Sequence, residues 1–227
     1  MTKMTLRILV SLIAVSSAWP YTFLDPPRRV FVPPVEITVD ERGLATAFDF
    51  DHGVTAAIEA AGEWNTKDRV LVRAQAGPVP QNLRTGDGVS TVRFDDPQKT
   101  CTQRLRCLAA SFVTYKTRES GTCGGLDLVG ISETDVVFNP EIPVWNTRYT
   151  EGPCIPPTEH HSNQFFGFPL ETVVTHEVGH ALGLGHSDDL EAVMGPANVD
   201  WCVGLTTGED DWAGIDALYG CDLVIGR

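Results

Sequence analysis

The sequence predicts an α+β fold, a mixed sheet of short strands carrying few helices. Three observations lead there. Runs of alternating, β-branched residues recur between Gly, Asp and Pro punctuation. Helical periodicity interrupts them after the first strand and again near residue 175. Hydrophobic residues make up 42% of the 227, which suits a globular core and excludes collagen, coiled coil and wholesale disorder.

The elements follow in order. Residues 19–34 (WPYTFLDPPRRVFVPP) hold five of the 15 prolines and lack helical spacing, so an extended leader or short pro-segment is expected. Val35 to Asp40 (VEITVD) alternates and reads as the first strand. Val54, Ala57, Ile58, Ala61 and Trp64 recur at helical intervals, with Asp51 as N-cap and His52 in the first turn. RVLVRAQ, STVRF, LAASFVTYK and ISETDVVF are four further strands. Residues 139–169 form a Pro-rich connection of a length that suggests a functional or covering loop. There are no internal repeats.

Thirty acidic against 17 basic residues give a net charge of −13. With no basic run longer than Arg28-Arg29, a nucleic-acid partner is excluded, because phosphate binding needs a concentrated basic face. Lys3 and Arg7, the apolar run Ile8 to Ala18 and the small residues Ser16-Ser17-Ala18 read as an export signal over residues 1–18. That run is short of the ~20 apolar residues a span requires, and no membrane anchor is expected. Export makes the six cysteines a disulfide set rather than metal thiolates, and no C-x-x-C pair argues otherwise. Neighbour pairing is the expectation: Cys101–Cys107, Cys123–Cys154 and Cys202–Cys221.

The segment ETVVTHEVGHALGLGHSDD carries the chemistry. His176, Glu177, His180, Gly183 and His186 form H-E-x-x-H-x-x-G-x-x-H. On a helix, positions i and i+4 share a face, so His176 and His180 aim at one point. Glu177 is displaced from that line and can reach a water there without becoming a ligand. Gly183 lets the helix stop in a left-handed turn, after which the chain doubles back to bring His186. Three imidazoles leave a fourth zinc position open, the catalytic arrangement. Chance agreement at all five positions is on the order of 10⁻⁵ per chain. Histidines left without a ligand on this apolar helix would cost several kcal/mol in unpaired polar burial.

This extended motif resembles the metzincin signature, and Ser187 after His186 resembles its matrixin branch, the matrix metalloproteinases and their bacterial relatives. AVMGP (Ala192 to Pro196) looks like the Met-turn, with Met194 the floor beneath the metal. GEDDWAGIDALYG (Gly208 to Gly220) resembles the C-terminal helix, its entry fitting a Thr206-x-x-Glu209 capping box. AAIEAAGEWN resembles the first helix, and ETDVVFN the edge strand along the cleft. The resemblance implies a metzincin-like fold over residues 35–227, with a twisted mixed five-stranded sheet and three main helices, the active-site helix ending at Gly183.

It further implies a secreted, or periplasmic, zinc endopeptidase acting on protein or peptide substrates. His176, His180 and His186 would bind one catalytic zinc, and Glu177 would be general base and acid. Substrate would lie beside Thr134, Asp135, Val136, Val137 and Phe138 by strand addition. Asp210 or Asp211 would support the Met-turn or receive a matured N-terminal ammonium. Helix N-terminal charge compensation is the alternative. A monomer without an appended module is expected.

Several departures from the family pattern matter. No cysteine precedes Cys101, so the zinc-blocking cysteine of animal members is missing; Asp25 is the leader carboxylate that could take its place. The edge-strand histidine of a second zinc is replaced within Asp135-Val136-Val137. His160-His161 reads as a solvated loop. Asp87, Asp95-Asp96 and Asp188-Asp189 are where Ca2+ would bind, without any EF-hand loop. The tyrosine expected beyond the Met-turn is absent. Two other functions stay open on sequence: a zinc-binding adhesion module without proteolysis, which would not need Glu177, and a protease narrowed to one target by the 139–169 loop.

Overall fold

The structure is a computed structural model that describes residues 21–41, 50–79, 86–103, 107–141, 144–145, 168–195 and 206–225. The export segment, His160-His161, Cys154, Cys202 and nearly all of the 139–169 connection lie outside the described residues.

Each alternating run forms the strand it predicts. They are β2 (Val35–Val39), β3 (Val72–Ala76), β4 (Ser90–Arg93), β5 (Ala109–Cys123) and β6 (Leu126–Phe138). Val35, Ile37 and Val39 bury one face of β2 while Glu36 faces water, the period-2 pattern of a half-covered strand. Two strands of the main sheet were not anticipated, β1 (Arg28–Val30) and β9 (Val224–Ile225), nor was a separate two-stranded pair. The sheet therefore has seven strands rather than five, ordered β3-β2-β4-β6-β5-β9, with β1 also on β6. Pairing is parallel throughout except β5 against β6 and β9. A separate pair joins β7 (Val144–Trp145) to β8 (Phe168–Pro169).

The described part of the leader is built into the fold, and from residue 28 it joins the sheet. Arg29 is buried; its guanidinium donates to the Leu218 carbonyl at 2.6 Å and lies over the Tyr219 ring at 4.4 Å. Burial pushes the Arg29 pKa down, the charge of Arg69 adding to this and the Tyr219 hydroxyl group opposing it. The Tyr219 hydroxyl accepts from Val30 N at 3.0 Å and donates to the Leu182 carbonyl at 2.8 Å. Residue by residue, β1 is thereby fastened to two helices.

Three helices accompany the sheet: α1 (Phe50–Ala61), α2 (Leu170–Leu182) and α3 (Glu209–Tyr219). Asp51 falls within the first turn of α1 rather than before it, and a 3-10 turn at Gly62–Trp64 extends the helix. Trp64 is fully buried; its indole N–H donates to the Thr175 carbonyl at 2.8 Å, and Thr175 Oγ1 donates to the Ala60 carbonyl at 3.1 Å. These bonds lock α1 against the middle of α2, leaving almost every α2 residue buried. The α3 cap also differs from expectation. Gly208, not Thr206, precedes the helix, and its N–H is taken by Asp211 Oδ2 at 2.8 Å.

Cysteine pairing agrees at one place and differs at another. Cys101–Cys107 is bridged with Cα atoms 5.3 Å apart. Cys123, however, joins Cys221, with a Cα separation of 5.6 Å across 98 residues, in place of the two neighbour pairs expected for them. Strand β9 runs beside Thr122 and Gly121, which carries the chain end back to Cys123.

Strand order corrects one further expectation. Thr134 to Phe138 is not a sheet edge: residues 135–137 pair with β4 on one side, and the whole stretch pairs with β5 on the other. The edge beside α2 is instead β5. Among the described residues, its outer side is paired only at Gly121 and Thr122, by β9.

Candidate metal centre

Helix α2 ends as the spacing requires. Gly183 has φ of 105°, and the Leu184 and Gly183 N–H groups return to the Gly179 and His180 carbonyls at 3.1 and 3.0 Å. This is the Schellman closure of a helix C-terminus. A Cβ at Gly183 would also collide with the Arg28 carbonyl, so conformation and crowding both demand glycine.

The turn brings His186 back over the helix. Ring centroids of His176, His180 and His186 lie 4.9, 5.2 and 5.0 Å apart pairwise, and one nitrogen from each falls within 4.8 Å of the others. His176 Nδ1 sits 2.8 Å from the Val193 carbonyl, and His180 Nδ1 2.8 Å from the Leu184 carbonyl. Each Nδ1–H donates to its carbonyl, leaving Nε2 as a lone pair for a metal. Burial lowers both pKa values to about 4, so these imidazoles are neutral at ordinary pH. Three imidazole nitrogens on one point, with the tautomers of His176 and His180 fixed from behind, fit a catalytic zinc. His176 is buried and His186 exposed, so the centre opens to solvent on the His186 side.

Glu177 is buried beside this cluster, and its carboxyl pKa is raised by burial, against the pull of His180, the Ser111 hydroxyl and His186. Ser111 Oγ donates to Glu177 Oε2 at 2.6 Å. Motif reasoning missed Ser111. Alternation puts position 111 on one face of the strand with Ala109 and Val113, and only the fold shows that this face meets Glu177.

Met194 lies under α2, with its sulfur beside Gly179; a Cβ there would collide with Met194 Sδ and come within 2.8 Å of the Trp64 ring. The two acids at the start of α3 divide the work expected of either. Asp211 accepts from Val193 N at 2.9 Å and Met194 N at 3.0 Å, holding the turn below the histidines. Asp210 accepts from Ser187 Oγ at 2.6 Å and from Tyr21 N at 3.0 Å. Residues 21–24 then run antiparallel to 183–186: Gly185 N donates to Thr22 O at 2.9 Å, Leu24 N to Gly183 O at 3.1 Å, and Thr22 Oγ1 to the His186 carbonyl. The leader thus braces the turn that presents the third imidazole. Asp25, exposed, is not gathered with the histidines. The acidic turns are occupied locally: Asp95 pairs with Arg93, Asp96 takes three amides and the Thr102 hydroxyl, and Asp87 and Asp189 each accept an amide two residues on.

Three convergent imidazoles with a carboxylate at the next helical position make a site that can hold a metal with a proton acceptor beside it. A family model described as Matrixin matches residues 37–220, and the chain belongs to the matrixin family. Metalloendoproteinase 1 of Glycine max is 49% identical over 53 residues, 23% of this chain and 17% of that protein. Matrix metalloproteinase-27 of Tupaia belangeri is 31% identical over 128 residues, 53% of this chain and 23% of its own length. The interstitial collagenase of Sus scrofa is 40% identical over 62 residues, covering 27% and 13%. The chain therefore spans less than a quarter of the length of these relatives. No helix among the described residues is long and apolar enough to cross a membrane.

Proposed function

We propose that the chain is an exported zinc endopeptidase in which Glu177 acts as general base and then general acid. The observation that supports it best is the convergence of three imidazoles beside a buried carboxylate. Bound zinc supplies Lewis acidity toward a water and a peptide carbonyl. The Glu177 carboxylate takes a proton from the attacking water and delivers it to the leaving amine. Burial favours that double duty, since it raises the carboxyl pKa toward the working pH. Substrate lies extended along the outer edge of β5 near Ala109–Val113, where main-chain groups face away from β6. Two disulfides among the described residues support export.

The experiment is cleavage of a peptide library by zinc-loaded protein, with a chelator control and Glu177→Ala. Cleavage should vanish with chelator and fall about 10²- to 10⁴-fold in the variant, zinc remaining stoichiometric. A zinc-loaded protein that cleaves no peptide would overturn the reading in favour of a binding module.

A further inference from the structure

Ser111 is the polar exception in an apolar row. On β5, residues 109, 111 and 113 face the same way, and Ala109 and Val113 pack at the margin of the hydrophobic core. The Ser111 hydroxyl has two acceptors within reach, Glu177 Oε2 at 2.6 Å and the Glu177 carbonyl at 3.0 Å. A hydroxyl carries one proton, and 2.6 Å lies in the range of a bond to a carboxylate, so Oε2 is the acceptor. Among the described residues Ser111 is the one hydrogen-bond donor to that carboxylate. Its own place is fixed by cross-strand pairing with Val136.

We propose that Ser111 is a positioning residue for the peptidase reaction: its hydroxyl holds Glu177 Oε2, fixing the carboxylate plane and reserving Oε1 for proton transfer. The inference rests on the peptidase reading above. A glutamate has three side-chain torsions, and one oxygen tethered to a rigid strand removes most of that freedom before substrate arrives. The bond also couples the base to β5, so the strand that receives substrate and the group that moves the proton share one anchor.

The test uses Ser111→Ala, Glu177→Ala and the double variant in the full chain, each read with zinc and without. Removing one buried-row oxygen should leave the fold and zinc content unchanged. With zinc, Ser111→Ala should lower kcat about tenfold at constant KM. In the Glu177→Ala background the same change should alter the residual kcat less than about twofold, because its target is gone. In metal-free protein, Ser111→Ala should lower Tm only when Glu177 is present. An unchanged kcat, a rise in KM alone, or an equal loss in both backgrounds would overturn the proposal. Wild-type activity in Glu177→Ala would instead overturn the peptidase reading itself, and with it the role of Ser111.

Discussion

Replacing Asp211 by alanine should unfasten the floor of the metal centre. Its carboxylate accepts three amides, the buried ones of Val193 and Met194 and the half-buried one of Gly208, at 2.9, 3.0 and 2.8 Å. Each amide left without a partner costs about 1–3 kcal/mol, and sharing of relaxation among the three brings the sum to about 4 kcal/mol. Asparagine fares better. Turned so that its oxygen occupies the Oδ2 position, it keeps the Val193 and Gly208 bonds and loses only Met194, a cost of about 1–3 kcal/mol. Burial raises the Asp211 pKa despite the three amides, so removing the charge also recovers some desolvation. Were Asp211 merely a negative charge at the start of α3, either change would cost about 0.3–1 kcal/mol and salt would erase it. The assay is urea denaturation with chelator present, so that metal binding does not enter. A chelator-competition titration should also show about tenfold weaker zinc binding, since the Val193 carbonyl orients His176. Alanine within about 1 kcal/mol of wild type, or asparagine as costly as alanine, would show that Asp211 does not hold the turn through these amides.

Three further outcomes follow from the packing and the buried charges. Gly179→Ala should cost about 1–3 kcal/mol by displacing Met194 and Trp64, with a lower Tm and weaker zinc binding; a wild-type melt would show that the contact relaxes freely. Asp135 is buried, and desolvation raises its pKa to about 6, helped by Glu133 and Asp87 and opposed by Thr91 and Arg93. A carboxyl that holds its proton more tightly when folded stabilises below its unfolded pKa, and that stability is lost as pH rises through 6. Asp135→Asn should therefore gain on wild type between pH 5 and 7.5, by about 1–2 kcal/mol in chelator-treated urea melts, and a constant difference would count against it. His176 and His180 show the reverse sign. Depressed to about 4, they give the metal-free protein stability that is present above pH 6.5 and lost as pH falls toward 4. The loss should reach a few kcal/mol and be smaller in His176→Asn, as measured by denaturant midpoint against pH.

How far the sequence disclosed the centre depended on how local each feature is. The bend at Gly183 and the common aim of His176, His180 and His186 follow from helical spacing and one left-handed residue, all within eleven positions. The edge strand was harder. Both arms of the β5–β6 hairpin alternate equally well, and which is outermost is decided by β4, whose residues 91–93 pair in parallel with 135–137. Nothing inside ETDVVFN announces that neighbour. Similarly, Cys123–Cys221 follows from β9 returning to β5, a contact across 98 residues that spacing along the chain does not encode. Prolines flanking Arg28–Val30 masked a three-residue strand that is held chiefly by a buried arginine and a tyrosine hydroxyl. Ser111 was hidden differently: a serine among apolar neighbours is common, and only its distance to Glu177 gives it meaning.

The bridge between Cys123 and Cys221 closes a covalent ring around the working half of the protein. Helix α2, the Met194 turn and α3 all lie inside it. A single nick anywhere from residue 124 to 220 leaves both fragments tied together. Such a nicked molecule would migrate intact until reduced, and its halves would stay at high effective concentration for each other.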